Sequence, residues 1–485
     1  MSARYLTTTL PYVNADPHIG FALELVQTDV LARVWRAAGD EVFFNTGTDE
    51  HGQKIYDAAR KANKEPQVYI DHYAAEVQKL KEALNLSTDA FIRTTSPAHV
   101  QAAQEMWRRC EANKDIYLKE YEGLYCVGHE AFLTERDLVN GKCPDHNIEP
   151  QVLREKNYFF KFKKYEKSLL NYLQKPDTIV PEWRRQEAIN FMKGDLEDFS
   201  ISREKKRLSW GIPVPGDESQ VMYVWFDALT SYISTLGWPD DKQGNFEKFW
   251  EKGTTLQVAG KDQVRFQSLM WQAMLMSAGI KNTDQIFYHG FINSGGQKMS
   301  KSVGNVINSA EVVKKYGVDT TRYFLLRHVH SFEDTDVTWE KLDEWYTANL
   351  VNGLGNLVAR VMKLSEDHLT ASEITSYLDE VKEVEVFEKF DKAIKDFRFS
   401  EAMDIIWGYI AGADELISKK RPFDVIKTDV EKGKEEIRNL VWRVSKIAGL
   451  LGSVMPSTAR VISDAVRENK KPDNLFPRLP AQAGL

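Results

Sequence analysis

Strand, loop, long helix and strand follow one another between Tyr5 and Asn45, and no other stretch restricts the fold as much. Tyr5-Leu6-Thr7-Thr8-Thr9-Leu10 is a β-rich run that ends at Pro11. Asn14, Asp16 and Pro17 supply a turn. His18-Ile19-Gly20 then opens a helical pattern in which Leu23, Val26, Val30, Leu31, Val34 and Trp35 recur until Gly39 stops it. Glu41 to Asn45 reads as a buried strand. Such a βαβ unit is almost always a right-handed crossover in a parallel sheet, and ligands of open sheets sit beyond the carboxyl ends of the strands. LPYVNADPHIG and TGTDEHG both occupy that edge.

The chemistry of the edge follows from its residue types. A helix N-terminus offers unpaired N–H groups and the positive end of the dipole to an anionic phosphate. Gly20 permits close approach there, and His18 adds an imidazole donor. Asp49 could pair with a substrate ammonium. A later strand, Leu256 to Ala259, delivers Gly260 and Asp262 to the same edge, where an acid can accept from ribose hydroxyls. Val221 to Ala228 reads as a strand leading into a helix through Tyr232, so that Trp225 and Tyr232 either wall a small apolar pocket or serve the core. Gln285 to Phe291 is a further strand. It runs into the glycine-hinged Asn293-Ser294-Gly295-Gly296-Gln297 and then Lys298-Met299-Ser300-Lys301-Ser302, a basic loop suited to closing over phosphates.

Helices are expected over 53–63, 66–84 and 97–113. Between Tyr117 and Val152 stands C-x2-H-x13-C-x2-H, formed by Cys126, His129, Cys143 and His146. Two such paired ligand turns can close a tetrahedron around zinc. The chain has three cysteines, and Cys110, in a predicted helix, is the packed one. Residues 153–215 interleave lysines and arginines with aromatics. That pattern serves RNA stacking or a strand with one core face, and composition does not choose between them. After about residue 330 helical patterns cover roughly 338–365, 380–397, 399–418, 431–453 and 456–468, with Asn356 and Arg360 on one helix face.

At 485 residues two to four domains are expected. The net charge of -7 excludes a general nucleic-acid coating protein. Few cysteines, the lack of a leader pattern and the lack of a long apolar run imply a reducing cytoplasm and no membrane span.

HIG near the start and KMSKS far downstream in one α/β texture form the paired signature of class I aminoacyl-tRNA synthetases. FIRTT, EYEGLYC, DFSISR, WGIPVP, YVWFDAL and GKD, with the motifs above, resemble methionyl-tRNA synthetases in their order, to about residue 455. The resemblance implies a Rossmann-like parallel sheet split by a zinc-knuckle insertion and followed by an all-α helical bundle. The implied boundaries are 1–115, 116–215, 216–330 and 331–485, with an anticodon-binding domain last. It implies ATP-dependent formation of methionyl-adenylate and transfer of methionine to tRNA(Met), initiator tRNA included, with magnesium accompanying ATP.

By position, Leu10, Tyr12, Asp49, Trp225, Ala228, Leu229, Tyr232, Gln263 and Gln267 would line the methionine site. His18, Gly20, Glu24, Gly260, Asp262, Lys298, Ser300 and Lys301 would hold ATP, with His18, Gly20, Lys298 and Lys301 acting in the reaction itself. Cys126, His129, Cys143 and His146 would hold the zinc, and Asn356, Arg360 and Phe423 would read the anticodon. The sequence departs from the family pattern at Phe21 and His129, at Gln263, Gln267 and Met270, and at Phe423. Phe21 leaves room for a non-charging RNA-binding paralogue, and Gln263, Gln267 and Met270 for another apolar amino acid. With the sequence stopping at residue 485, where an appended tRNA-binding domain would follow, a monomer is expected.

Overall fold

A parallel six-stranded sheet carries the N-terminal half. Its strands are β1 (Ala3–Thr7), β2 (Glu41–Thr48), β3 (Ala90–Arg93), β4 (Ile179–Val180), β5 (Thr254–Gly260) and β6 (Gln285–His289), in the order β3-β2-β1-β5-β6-β4. Every neighbouring pair is parallel. The computed structural model describes residues 2–14, 16–127, 131–133, 135–144, 147–194, 196–299, 304–380 and 385–479. The chain moves outward from β1 through β2 to β3 and later resumes on the other side of β1 with β5. The strand order therefore reverses between β1 and β5, the place where open α/β sheets bind ligands.

Two compact units result. One comprises Met1–Pro17, Trp35–Glu82 and Leu86–His289, and the other His18–Val34, Ala83–Asn85 and Gly290–Leu485. In the first, Tyr5, Trp107, Phe226, Trp250, Trp271 and Tyr288 form the centre of a core on the sheet. Trp107 meets Phe226 edge-on with ring centroids 5.5 Å apart, the geometry aromatic quadrupoles prefer. Beyond β3 the chain builds an antiparallel sheet from Ile116–Cys126, Ala131–Leu133, Gln151–Phe160 and Phe199–Ser200. The aromatics of the basic stretch serve this core: Phe160 is fully buried and stacks with Tyr165 and Phe199. Of the two readings of that stretch, the strand with one core face accounts for them. Ile179–Val180, inside the segment expected as an insertion, instead joins the edge of the parallel sheet.

One element differs from its sequence reading. Val221 to Ala228 was expected as a strand, but the strand Asp217–Met222 ends early and Val224–Leu229 is helical. Valine and the aromatics favour strands only as far as their packing does. Here Phe226 and Ala228 are buried on a helical turn, which also turns Asp227 inward.

Among the described residues, the regular structure of the second unit is helical apart from a small sheet of Ile292–Ser294, Gln297–Lys298 and Thr335–Asp336. Trp339 to His368 is one continuous helical run with a π-helical middle, Tyr346–Gly355. Four helices of this unit escaped the sequence reading, Ser309–Tyr316, Val318–Arg327, Ala371–Glu380 and Pro422–Thr428. Pro422 starts its helix, because a proline at the first helical position surrenders only an N–H that would be unpaired anyway. Among the described residues no helix is long and apolar enough to cross a membrane.

Candidate active site

The segment after β1 continues alongside β2. Tyr12 bridges Asp49, with the Asp49 N–H donating to the Pro11 carbonyl (3.1 Å) and the Val13 N–H to the Asp49 carbonyl (3.3 Å). Leu10, Tyr12 and Asp49 are thereby held together at the carboxyl edge, and Asp49 is buried. Its two successors point elsewhere. The Glu50 carboxylate accepts from Arg93 Nε (2.6 Å), from the Thr48 hydroxyl (2.7 Å) and from the Thr95 hydroxyl. His51 Nδ1 lies 2.7 Å from Asp227 Oδ2. Of the three polar residues in this loop, Glu50 and His51 are committed to the scaffold.

The opposite wall comes from the Val224–Leu229 helix and the turn after β5. Trp225 stacks on Phe266 at 3.9 Å between centroids, and Ala228, Leu229 and Tyr232 are buried. The Gln267 amide donates to the Tyr232 hydroxyl (2.6 Å), and the Tyr5 hydroxyl donates to the Tyr232 carbonyl (2.7 Å). The amide oxygens of Gln263 and Gln267 are buried and accept no hydrogen bond. A buried amide acceptor left this way costs about 1–3 kcal/mol, so these oxygens are available to a bound group or water. Gly260 ends β5, and Asp262 is exposed on the turn that follows.

In the second unit the first helical turn faces a hairpin. His18 bridges Asn308, and the Ile19 N–H donates to the Ile307 carbonyl (3.0 Å). The Gly20 N–H donates to His18 Nδ1 (3.1 Å), which makes that nitrogen the acceptor and leaves Nε2 to carry the proton outward. A Cβ at Gly20 would lie 2.9 Å from the His18 ring, so glycine is required for this contact. The ring keeps access to solvent. Desolvation by the surrounding protein, and then the Lys298 ammonium, hold its pKa below the ordinary imidazole value. His18 is thus a neutral donor near neutral pH.

Lys298 stands on the strand after Gly295-Gly296, both with positive φ (65° and 74°), the pair that a two-residue hairpin turn demands. Its ammonium lies 5.0 Å from the centre of the Phe291 ring. The Asn305 amide donates to the Ser294 carbonyl (3.0 Å) and so ties down the return of the loop, a role sequence reading missed. Ser300 and Lys301 lie outside the described residues. Glu24, buried one helical turn on, lies on the same helix as His18 and Gly20.

Further along the second unit, Arg360, Lys363, Phe423 and Lys471 line a groove of about 390 Å³. Arg360 is paired with Asp414 at 3.4 Å. Asn356 is exposed one turn earlier on the same helix and does not line the groove. In the antiparallel sheet region Cys126 and Cys143 are fully buried. Cys143 sits in a tight turn, its carbonyl accepting from the Asn147 N–H (2.8 Å). His129 and His146 lie outside the described residues. Among the described residues no group of three metal-ligating side chains occurs.

Comparison with known proteins shows the family. Residues 4–151 and 146–362 match the family described as tRNA synthetases class I (M). The chain is 38% identical to a methionine–tRNA ligase of Fusobacterium nucleatum, over 97% of this chain and 75% of that protein. A Mesorhizobium japonicum methionine–tRNA ligase is 36% identical over 99% and 98% of the two chains. Among solved structures, Mycobacterium tuberculosis methionyl-tRNA synthetase in complex with methionyl-adenylate superposes with a TM-score of 0.88 at 35% identity, covering 99% of both chains. With a buried acid at the sheet's switch point and a histidine–glycine turn facing a lysine hairpin, the chain belongs to the methionyl-tRNA synthetases, class I enzymes that join methionine to tRNA.

Proposed function

We propose that Asp49 is the group that selects the free amino acid, by pairing with the methionine ammonium at the switch point of the sheet. The enzyme activates methionine with ATP and passes it to tRNA. In the first step a methionine carboxylate oxygen attacks the α-phosphorus, and the bond to pyrophosphate breaks. In the second a terminal ribose hydroxyl attacks the acyl carbon, and AMP leaves. Leu10, Tyr12, Trp225, Ala228, Leu229 and Tyr232 enclose the methionine side chain, with the Gln263 and Gln267 amides at its rim.

We assign the ATP contacts to His18, Gly20, Glu24, Gly260, Asp262, Lys298, Ser300 and Lys301. Negative charge builds on the departing pyrophosphate, and the outward His18 Nε2–H with the Lys298 and Lys301 ammoniums answers it. Magnesium accompanying ATP would share that charge. The observation that carries the reading is the burial of Asp49 beside Tyr12 at the carboxyl edge. ATP–pyrophosphate exchange, with each amino acid supplied in turn and tRNA omitted, tests it. Exchange with methionine alone is expected; exchange with another amino acid in its place would refute the pocket assignment.

Two further sites belong to this reading. Cys126, His129, Cys143 and His146 make a sulfur–nitrogen donor set that suits zinc, and the two cysteines lie buried in a strand end and a tight turn. Zinc there would tie the turns of the insertion together, and purified enzyme should carry about one zinc per chain. Folded, active enzyme without zinc removes the site.

Asn356, Arg360 and Phe423 are assigned to the anticodon of tRNA(Met), initiator tRNA included. Arg360→Ala is expected to lower charging of tRNA at least about tenfold, while exchange stays within about twofold of the parent. Equal losses in both reactions would make Arg360 structural. The domain boundaries 1–115, 116–215, 216–330 and 331–485, a monomeric state and a cytoplasmic setting complete the proposal.

A further inference from the structure

We propose that Asp227 is a positioning residue for amino-acid activation: through His51 it fastens the Asp49 strand end to the helix that carries Trp225, Ala228 and Leu229. Asp227 is almost completely buried, with 1% of its side chain exposed. Its Oδ2 lies 2.7 Å from His51 Nδ1 and its Oδ1 lies 2.7 Å from His99 Nε2. A lone carboxylate in such a place is costly, and two N–H donors in good geometry offset the cost.

The tautomers follow from the partners. His99 presents Nε2–H to Asp227, and its Nδ1 lies 2.8 Å from the Ser234 hydroxyl, so both ring nitrogens have a partner. His51 presents Nδ1–H. Burial pushes the Asp227 carboxyl up, but the His51 and His99 rings outweigh burial and keep it below the ordinary carboxylate range.

What the clamp joins matters more than its own stability. His51 stands two residues after Asp49, and Trp225 stands two before Asp227. On the other side of the loop, the Trp210 indole packs against the His51 ring at 5.6 Å and donates to the Glu50 carbonyl at 2.7 Å. The backbone of Asp49 is bonded to Pro11 and Val13. The segments that supply the ammonium partner and the apolar wall are therefore joined by one buried carboxylate, and a shift of about 1 Å at a reacting group is enough to cost a large factor in rate.

This inference rests on the assignment of Asp49 to the ammonium, so Asp49→Asn is measured beside the test variants in ATP–pyrophosphate exchange. Asp227→Asn and His51→Leu are expected to raise the methionine KM about tenfold or more and to leave the ATP KM within about twofold. His51→Asn places an amide donor where Nδ1 stood and should restore the methionine KM to within about threefold of the parent. A merely structural clamp would lower the melting temperature without separating the two KM values.

Unchanged methionine KM in Asp227→Asn and His51→Leu, or an equal rise in both KM values, overturns the positioning role. If Asp227→Asn does not fold, the two His51 variants decide alone. An unchanged methionine KM in Asp49→Asn overturns the ammonium assignment and the positioning role together, whereas a rise confined to Asp49→Asn overturns the positioning role only.

Discussion

Asp49→Asn is expected to lower kcat/KM for methionine in ATP–pyrophosphate exchange by about a thousandfold, roughly 4 kcal/mol, the scale of leaving one member of a buried ion pair alone. The change keeps the shape of the side chain and removes its charge. The two backbone bonds that seat the residue, to Pro11 and from Val13, do not involve the side chain and should hold the loop in place. The methionine ammonium would then enter a buried position without a counter-charge. ATP makes no use of that carboxylate, so its KM should move by no more than about twofold. A methionine KM close to the parent's would mean that the ammonium is held elsewhere. A matching loss for ATP would mean that the loop had shifted.

That the place of Asp49 at a strand end is legible in the sequence, while its supports are not, has one physical cause. The strand–loop–helix–strand order and the β5 edge are local patterns, legible because periodicity and turn residues act within a few positions. The same holds for the glycine pair before Lys298, which became a tight hairpin. The partners of Glu50 and His51 are not local. Arg93 lies 43 residues away from Glu50, and Asp227 lies 176 residues away from His51, so nothing in the loop itself distinguishes a ligand-facing acid from a scaffold acid. An acid inside the apolar run YVWFDAL was a signal, since a buried carboxylate must find donors. It could say that partners exist and not which ones.

Misread elements fail for a related reason. Val221 to Ala228 has the composition of a strand, yet tertiary packing around Phe226 and Ala228 selects a helix. The Lys419-Lys420-Arg421-Pro422 stretch closes one helix, with Arg421 in the left-handed region at φ 46°. The following helix at once reuses Pro422 as its first residue, a second element that the composition of Phe423 to Thr428 does not announce. In the groove, sequence spacing put Asn356 and Arg360 on one helix face. The structure adds Lys363 and Lys471 to Arg360 and Phe423, because groove walls are made by neighbouring elements as well as by one helix.

Arg322→Ala is expected to lower the melting temperature by roughly 10 °C, the effect of about 3–5 kcal/mol lost from a buried, paired charge. Arg322 and Asp29 are both fully buried, with Nη1 2.8 Å from Oδ2. The guanidinium also donates to the carbonyls of Val454 (2.8 Å), Ser453 (3.0 Å) and Leu84 (3.1 Å). It thereby joins the Val318–Arg327 helix to the helix that begins at Ile19 and to the turn before Pro456.

Truncation strands the Asp29 carboxylate, with Arg33 Nε (2.7 Å) as a remaining partner, and leaves two buried carbonyls and a half-buried one short of a donor. Distance alone would not predict this. Lys363 and Asp367 approach to 2.5 Å, but their side chains are 56% and 44% exposed. Such a helix-surface pair contributes about 0.3–0.5 kcal/mol, so Lys363→Ala should leave the melting temperature within about 2 °C.

The double variant Arg322→Met with Asp29→Leu removes both charges and should recover part of the loss. It should not recover all of it, because Val454, Ser453 and Leu84 still lack their donor. Thermal unfolding of the three proteins at one scan rate decides the matter. An Arg322→Ala protein that melts with the parent would show that these carbonyls and Asp29 find water or other donors when the guanidinium is gone, and that the pair does not hold the unit together.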